Sequence, residues 1–125
     1  MEFTLNFDNM PDYALTQTSG EAAVSGFDDL LSALVNAPEW KTGTKMIVDH
    51  RKLITDHLST ISMNSIKEVV EKYSGQLGDG RTAFVVDSEL GFAFARMYEM
   101  IEGNELHSGT QVFYTLEEAV EWITE

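Results

Sequence analysis

Two aspartates stand where apolar segments of the sequence end. Asp49 closes the run Met46-Ile-Val-Asp49, and Asp87 follows Thr82-Ala-Phe-Val-Val86. Short apolar runs are typical of strands covered on both faces, and open α/β sheets bind ligands beyond the carboxyl ends of such strands. Two carboxylates brought together there could do acid–base work if one raised the pKa of the other. The alternative is that both cap loops or helix N-termini, where the helix dipole favours a negative group.

A repeated dipeptide offers the residue types of a metal site. Asp49-His50 and Asp56-His57 could bring two imidazoles and two carboxylates together if the segment folded back on itself. Metal ligands need a converging geometry, which nothing in this composition enforces. The absence of cysteine removes thiol nucleophiles, disulfides and thiolate zinc sites. We therefore expect no metal and no cofactor.

Further candidate residues fall on a helix predicted over residues 89–102. Arg96 lies on the flank of its apolar stripe, where it could hold a ligand carboxylate or pair with an acidic residue of the chain. Met97 and Met100 could line an adaptable apolar pocket, although methionines at this spacing also serve as core. Phe92 lies on the polar face, which predicts a homodimer or partner interface, although such an aromatic can also form a second packing surface within the domain.

The surrounding patterns predict the elements that would position these residues. Period-2 alternation begins at Phe3, and a second strand runs from Tyr13 to Ser19, so the chain opens with a hairpin at a sheet edge. Pro38 ends the first helix because the preceding residue is pushed out of the α region. The segment from His50 to Met63 has no clear period and is predicted as the longest connection.

The remaining boundaries follow from periodicity and from three predicted capping boxes, at Ser25 with Asp28, Ser65 with Glu68 and Thr115 with Glu118. The predicted elements are helices over 27–36, from Ser65 to about Leu77, over 89–102 and from Thr115 onward, and strands over 45–49, 82–86 and 111–114. Strands alternating with amphipathic helices predict parallel pairs joined by right-handed crossovers. The expected fold is α/β, in the order β-β-α-β-α-β-α-β-α around one mixed sheet with four helices, with residues 1–125 as a single domain.

Charge and hydropathy limit the kinds of partner that the protein is expected to bind. Asp and Glu number 21 against 8 Lys and Arg, a net charge of −13. Such a surface repels phosphate backbones and anionic headgroups, so we expect neither nucleic acid nor membrane binding, while a basic partner stays open. No signal peptide is recognisable, and no apolar run approaches the ~18 residues of a membrane span. The expected location is the cytoplasm.

Four motifs, taken in order, resemble one family. They are Pro38-Glu-Trp40, Met46-Ile-Val-Asp49, the helix from Gly91 through Arg96 to Glu99, and Val112-Phe113 followed by Glu117, Ala119 and Trp122-Ile123. In this order they resemble the SpoIIAA-like branch of the bacterial STAS-domain proteins. The resemblance implies the SpoIIAA-like fold and a binding or regulatory role.

The sequence departs from the family pattern at the position of the family's phosphorylation switch. STAS proteins of the anti-sigma-factor-antagonist type carry a phosphorylatable Ser or Thr beside an Asp, where the helix after the third strand begins. The corresponding region here contains Ser62 and Ser65 without an adjacent Asp, so no phosphorylation switch is expected. Asp87-Ser88 is similar but follows the fourth strand, and Ser88 is predicted to be a helix N-cap.

Two functional hypotheses remain. The first is a non-enzymatic module that recognises a protein partner or a small apolar ligand, with Asp49, Asp87, Arg96, Met97 and Met100 as candidate binding residues. The alternative is a small hydrolase or isomerase that uses Asp49 and Asp87. Two carboxylates converging in a closed pocket would favour the enzyme, and a groove or flat patch would favour the binding module.

Overall fold

The computed structural model describes residues 1–89, 91 and 109–125. The described strands are β1 Glu2–Asn6, β2 Ala14–Glu21, β3 Met46–Ile54, β4 Thr82–Val85 and β5 Thr110–Phe113. The described helices are α1 Val24–Asn36, α2 Thr60–Lys72, the short α3 Ser74–Leu77 and α4 Leu116–Ile123. Apart from residues 89 and 91, the helix predicted over 89–102 lies outside the described residues.

The strands form one mixed sheet in the order β1-β2-β3-β4-β5. β1 and β2 are antiparallel, and β2 through β5 are parallel. The opening hairpin lies at the edge of the sheet, which confirms the predicted start of the chain. The predicted α/β class and the mixed sheet are likewise confirmed.

Helices pack on both faces of the sheet. We call one face the α1 face, because it carries α1 and α2, and the other the α4 face, because it carries α4. On the α1 face the core contains Phe27, Leu30, Leu31, Leu34, Met63 and Ile66, with Phe3, Leu5 and Met46 packed against it. On the α4 face the core contains Tyr13, Ile47, Ala83, Val85, Ala119 and Ile123. Successive residues of β3 therefore serve opposite cores, as the pleat of a strand requires.

The predicted connection from His50 to Met63 is wrong at both ends. β3 continues to Ile54, and α2 begins at Thr60. The predicted capping box at Ser65 is not formed, because Ser59 is the N-cap and its hydroxyl accepts the amide of Ser62 at 3.1 Å. Beyond the residues that pair with β4, β3 carries the half-buried Arg51 and the exposed Lys52, which obscure the strand pattern.

The ends of α1 and α4 test two further capping predictions. The box predicted at Ser25 and Asp28 is wrong, since α1 begins at Val24 and its N-cap, Ala23, makes no side-chain cap bond. The C-terminal end before Pro38 is confirmed, with α1 ending at Asn36. At α4 the predicted cap is confirmed: the amide of Glu118 donates to the Thr115 hydroxyl at 3.2 Å.

Candidate functional site

Asp49 and Asp87 line the same open depression on the α4 face, at the carboxyl end of the parallel strands. Its volume is about 800 Å³. Its walls are formed by Glu2, Phe3, Thr4, Gln17, Thr18, Ser19, Asp49, Arg51, Lys52 and Asp87. The carboxyl ends of the parallel strands therefore do border a depression, while a ligand-binding role for these two residues stays a prediction.

The carboxylate of Asp49 is buried and engaged at both oxygens. The residue is 5% exposed. Arg51 donates from Nε to Oδ1 at 2.9 Å and from Nη2 to Oδ2 at 2.8 Å, which is the bidentate geometry that suits a guanidinium. Gln17 Nε2 donates to Oδ2 at 3.3 Å. Asp49 is therefore a fixed counter-ion.

A β-bulge explains why Asp49 and Arg51 meet. Gln17 pairs with Asp49, but Ser19, two residues further along β2, pairs with Lys52, three residues further along β3. β3 thus carries one extra residue opposite Thr18, which interrupts the ladder. The backbone amide of Arg51 donates to Asp49 Oδ1 at 3.1 Å, so the same carboxylate that binds the side chain also satisfies the amide at the bulge.

The electrostatics of the Asp49–Arg51 ion pair favour the charged forms of both side chains. Burial raises the pKa of Asp49, but the hydrogen bonds from Arg51 and Gln17 outweigh it and hold that pKa below its usual range. The hydrogen bond to Asp49 raises the pKa of Arg51, burial opposes this, and the charges of Asp49, Glu117 and Asp87 raise it further. Arg51 thus interacts electrostatically with the carboxylates of Asp49, Glu117 and Asp87.

Asp49 does not have the raised pKa that the acid–base hypothesis assigned to one of the two aspartates. That chemistry requires one carboxylate to raise the pKa of the other, whereas the pKa of Asp49 is lowered. Asp87 is exposed, just beyond β4. Two aspartates that look alike in sequence differ because only Asp49 lies within a strand, beside a guanidinium on the same face.

His50 enters the opposite face of the sheet. Its ring is stacked on Phe84, with centroids 5.7 Å apart, and lies edge-on to Phe27 at 6.0 Å. Nδ1 lies 2.6 Å from the hydroxyl oxygen of Thr18. Burial lowers the pKa of His50 to about 4, although the charge of Asp49 opposes the shift. His50 is therefore a neutral core residue near pH 7.

The repeated Asp-His dipeptides do not converge. His57 Nε2 lies 2.7 Å from the carbonyl oxygen of Ala22, and His50 is enclosed by the α1-face core. Within residues 1–89, 91 and 109–125, no group of three or more His, Asp or Glu side chains could hold a metal ion.

Of the remaining residues singled out in the sequence, the structure describes Ser88. Arg96, Met97, Met100 and Phe92 lie outside the described residues, so the roles assigned to them stay predictions. The hydroxyl of Ser88 accepts the amide of Gly91 at 3.0 Å, which is the contact expected of an N-cap.

Arg51, which organises the depression, was not predicted from the sequence. The available signal was the spacing Asp49-x-Arg51, because residues two apart in a strand share a face. The polar partners in β2 were not predicted either. There, Gln17 stands between Thr16 and Thr18, and this alternation places its side chain on the opposite face from theirs.

Comparison with known proteins relates the chain to solved structures. No family model matches the chain, and no curated protein matches it. An uncharacterized protein of the DUF3478 family with a SpoIIAA-like fold, from Shewanella loihica PV-4, is 18% identical with a TM-score of 0.62 over 97% of this chain and 93% of its own. An anti-sigma factor antagonist from Mycobacterium paratuberculosis is 14% identical with a TM-score of 0.56 over 99% of this chain and 96% of its own. The chain therefore has the SpoIIAA-like fold that the sequence resemblance implied.

The described helices also bear on membrane insertion. None of those in residues 1–89 and 109–125 is both long enough and apolar enough to cross a bilayer.

Proposed function

We propose that this protein is a non-enzymatic regulatory module that acts by binding a protein partner. The observation that carries the proposal is the state of Asp49. Its two oxygens are occupied by Arg51 and Gln17, and its pKa is lowered. A general acid or base needs a pKa near the working pH and access to the substrate proton. The better placed of the two candidate catalytic groups meets neither requirement.

The fold supports a protein partner. One of the solved structures with this fold is named as an anti-sigma factor antagonist, a name that denotes action on another protein. The depression points the same way, because every described residue that lines it, except Phe3, is polar or charged. Pockets for small apolar ligands are lined mainly by hydrophobic side chains. The proposal includes a bacterial, cytoplasmic protein, with residues 1–125 as a single domain.

The proposal is tested by binding and by turnover. Purified anti-sigma factors and related regulators from the same organism are mixed with the protein and examined by native mass spectrometry and titration calorimetry. We expect one of them to form a complex of defined stoichiometry. The same preparation is assayed with ester, phosphoester and isomerase substrates. Turnover that is lost in Asp87→Asn, together with no complex, would overturn the proposal in favour of the enzyme hypothesis.

A further inference from the structure

The α4 face of the sheet is only partly covered by its helix. α4 packs on β3, β4 and β5. On the neighbouring strands, Thr4 pairs with Gln17 and Gln17 pairs with Asp49, and these side chains line the depression. A sheet face may remain wet without any partner, so a docking role has to be argued from the chemistry of the side chains in it.

Arg51 supplies that chemistry. Its side chain is 39% exposed, whereas that of its partner Asp49 is 6% exposed. Nε and Nη2 donate hydrogen bonds to the Asp49 carboxylate. The N–H groups of Nη1 lie on the side of the guanidinium that faces away from that carboxylate. Because the ion pair already fixes the fork, a further hydrogen bond costs little side-chain entropy. Arginines of this kind recur among the residues that dominate protein interfaces.

The charges around Arg51 select the partner. Glu2 and Asp87 line the depression, and Glu117 acts electrostatically on Arg51. Among the described residues, Lys52 is the other cation of the lining. Within that part of the chain, carboxylates therefore exceed cations in this region, and the net charge of the whole chain is −13. An acidic segment would be repelled, and a basic segment would be attracted and oriented.

We propose that the open part of the α4 face, formed by β1, β2 and the carboxyl half of β3, binds a basic polypeptide segment. Lysine or arginine side chains of the segment pair with Glu2, Asp87 and Glu117. A carbonyl oxygen of its backbone accepts a hydrogen bond from Arg51. The inference rests on the proposed protein-binding function and adds the surface and the chemistry of the partner.

The first test separates this surface from the general acidity of the chain. The probe is a synthetic peptide of alternating lysine and serine, titrated at low ionic strength and followed by backbone amide NMR. In the triple variant Glu2→Gln/Asp87→Asn/Glu117→Gln we expect affinity to fall about tenfold, since each exposed pair contributes modestly. The control Asp29→Asn/Glu39→Gln/Glu68→Gln removes the same charge from exposed positions that do not line the depression and is expected to change affinity less than about twofold.

The second test addresses the anchor. The variant Asp49→Asn/Arg51→Gln leaves the net charge unchanged, so bulk electrostatics predict no change in affinity, whereas loss of the Arg51 donors predicts weaker binding. Its amide spectrum reports whether the fold is kept. If it does not fold, the triple variant and its control carry the test alone.

The outcomes are distinguishable. Shifts concentrated on residues 2–4, 17–19 and 49–52 support the proposal. Shifts spread over the acidic surface, or equal losses in the two triple variants, overturn it. If a natural partner binds the triple variant as tightly as the wild type, this surface is wrong while the protein-binding function stands. If no protein partner binds at all, the proposed function itself fails.

Discussion

Asp49 and His50 are neighbours in β3, but the two faces of the sheet hold them in different charge states: Asp49 is ionised and His50 is neutral near pH 7. Asp49 enters the α4 face, where Arg51 keeps it ionised. His50 enters the α1 face, where aromatic rings and burial keep it neutral near pH 7. Burial opposes the charge of both; at Asp49 the hydrogen bonds from Arg51 and Gln17 outweigh it, whereas at His50 it outweighs the charge of Asp49. A dipeptide in a strand therefore offers two separate environments.

The largest expected effect concerns the pH dependence of His50. Its pKa is lowered from 6.5 in the unfolded chain to about 4 in the fold, so between these values the unfolded chain binds the extra proton. The stability is fully present above pH 6.5 and is lost as the pH falls toward 4, by about 3 kcal/mol. Urea denaturation across this range measures the loss.

Matched histidine variants isolate that contribution. His50→Gln should flatten the slope of unfolding free energy against pH between 6.5 and 4, while His57→Gln, on an exposed turn, should keep it. Equal slopes for His50→Gln and the wild type would show that the imidazole is not held neutral by the core.

The next largest effect is expected at the ion pair between Asp49 and Arg51. Arg51→Gln leaves the Asp49 carboxylate buried without its cation, and we expect a loss of about 2 kcal/mol in unfolding free energy. This is below the 3–5 kcal/mol typical of fully buried pairs, because Arg51 is partly exposed. Lys52→Gln, the exposed neighbour, should cost less than about 0.5 kcal/mol. Equal costs for the two variants, measured in urea, would contradict a structural role for the ion pair.

A smaller effect is expected at Thr18, which lies opposite the bulge. Thr18→Val keeps the shape but removes the hydroxyl that pairs with His50 Nδ1, and should cost about 1 kcal/mol. Thr4→Val, at an exposed position of β1, serves as the control and should be near neutral. Nitrogen-15 NMR of the imidazole should also report a changed tautomer balance in Thr18→Val, and an unaltered ring spectrum would argue against this hydrogen bond.

The smallest effect distinguishes the two aspartates. Asp87 is exposed beyond β4, so Asp87→Asn should change the unfolding free energy by no more than about 0.5 kcal/mol. Asp49→Asn, which removes a buried charge from Arg51, should cost clearly more. If the two variants unfold at the same urea concentration, then the distinction drawn here between a strand aspartate and a surface aspartate is wrong.

Much of the fold was accessible from local patterns. The opening alternation from Phe3, the stop before Pro38 and the Thr115 cap of α4 each depend on residues close in sequence, and each is confirmed. The start of α2 was misplaced because Ser59 and Ser65 are both competent capping residues. The choice between them depends on where β3 ends, which is decided by pairing with β2 rather than by the residues themselves.

The candidate site was less accessible. The fold class, the acidic surface and the aspartates at the ends of buried strands were predictable from the amino-acid sequence, since these depend on composition and on periods of two and 3.6 residues. The tertiary structure alone decided that Asp49 meets Arg51 and Gln17, and that His50 lies between Phe27 and Phe84. Those contacts depend on a one-residue shift in the pairing of β2 with β3 and on the close packing of α1 against the sheet. Both are long-range events that no local pattern encodes.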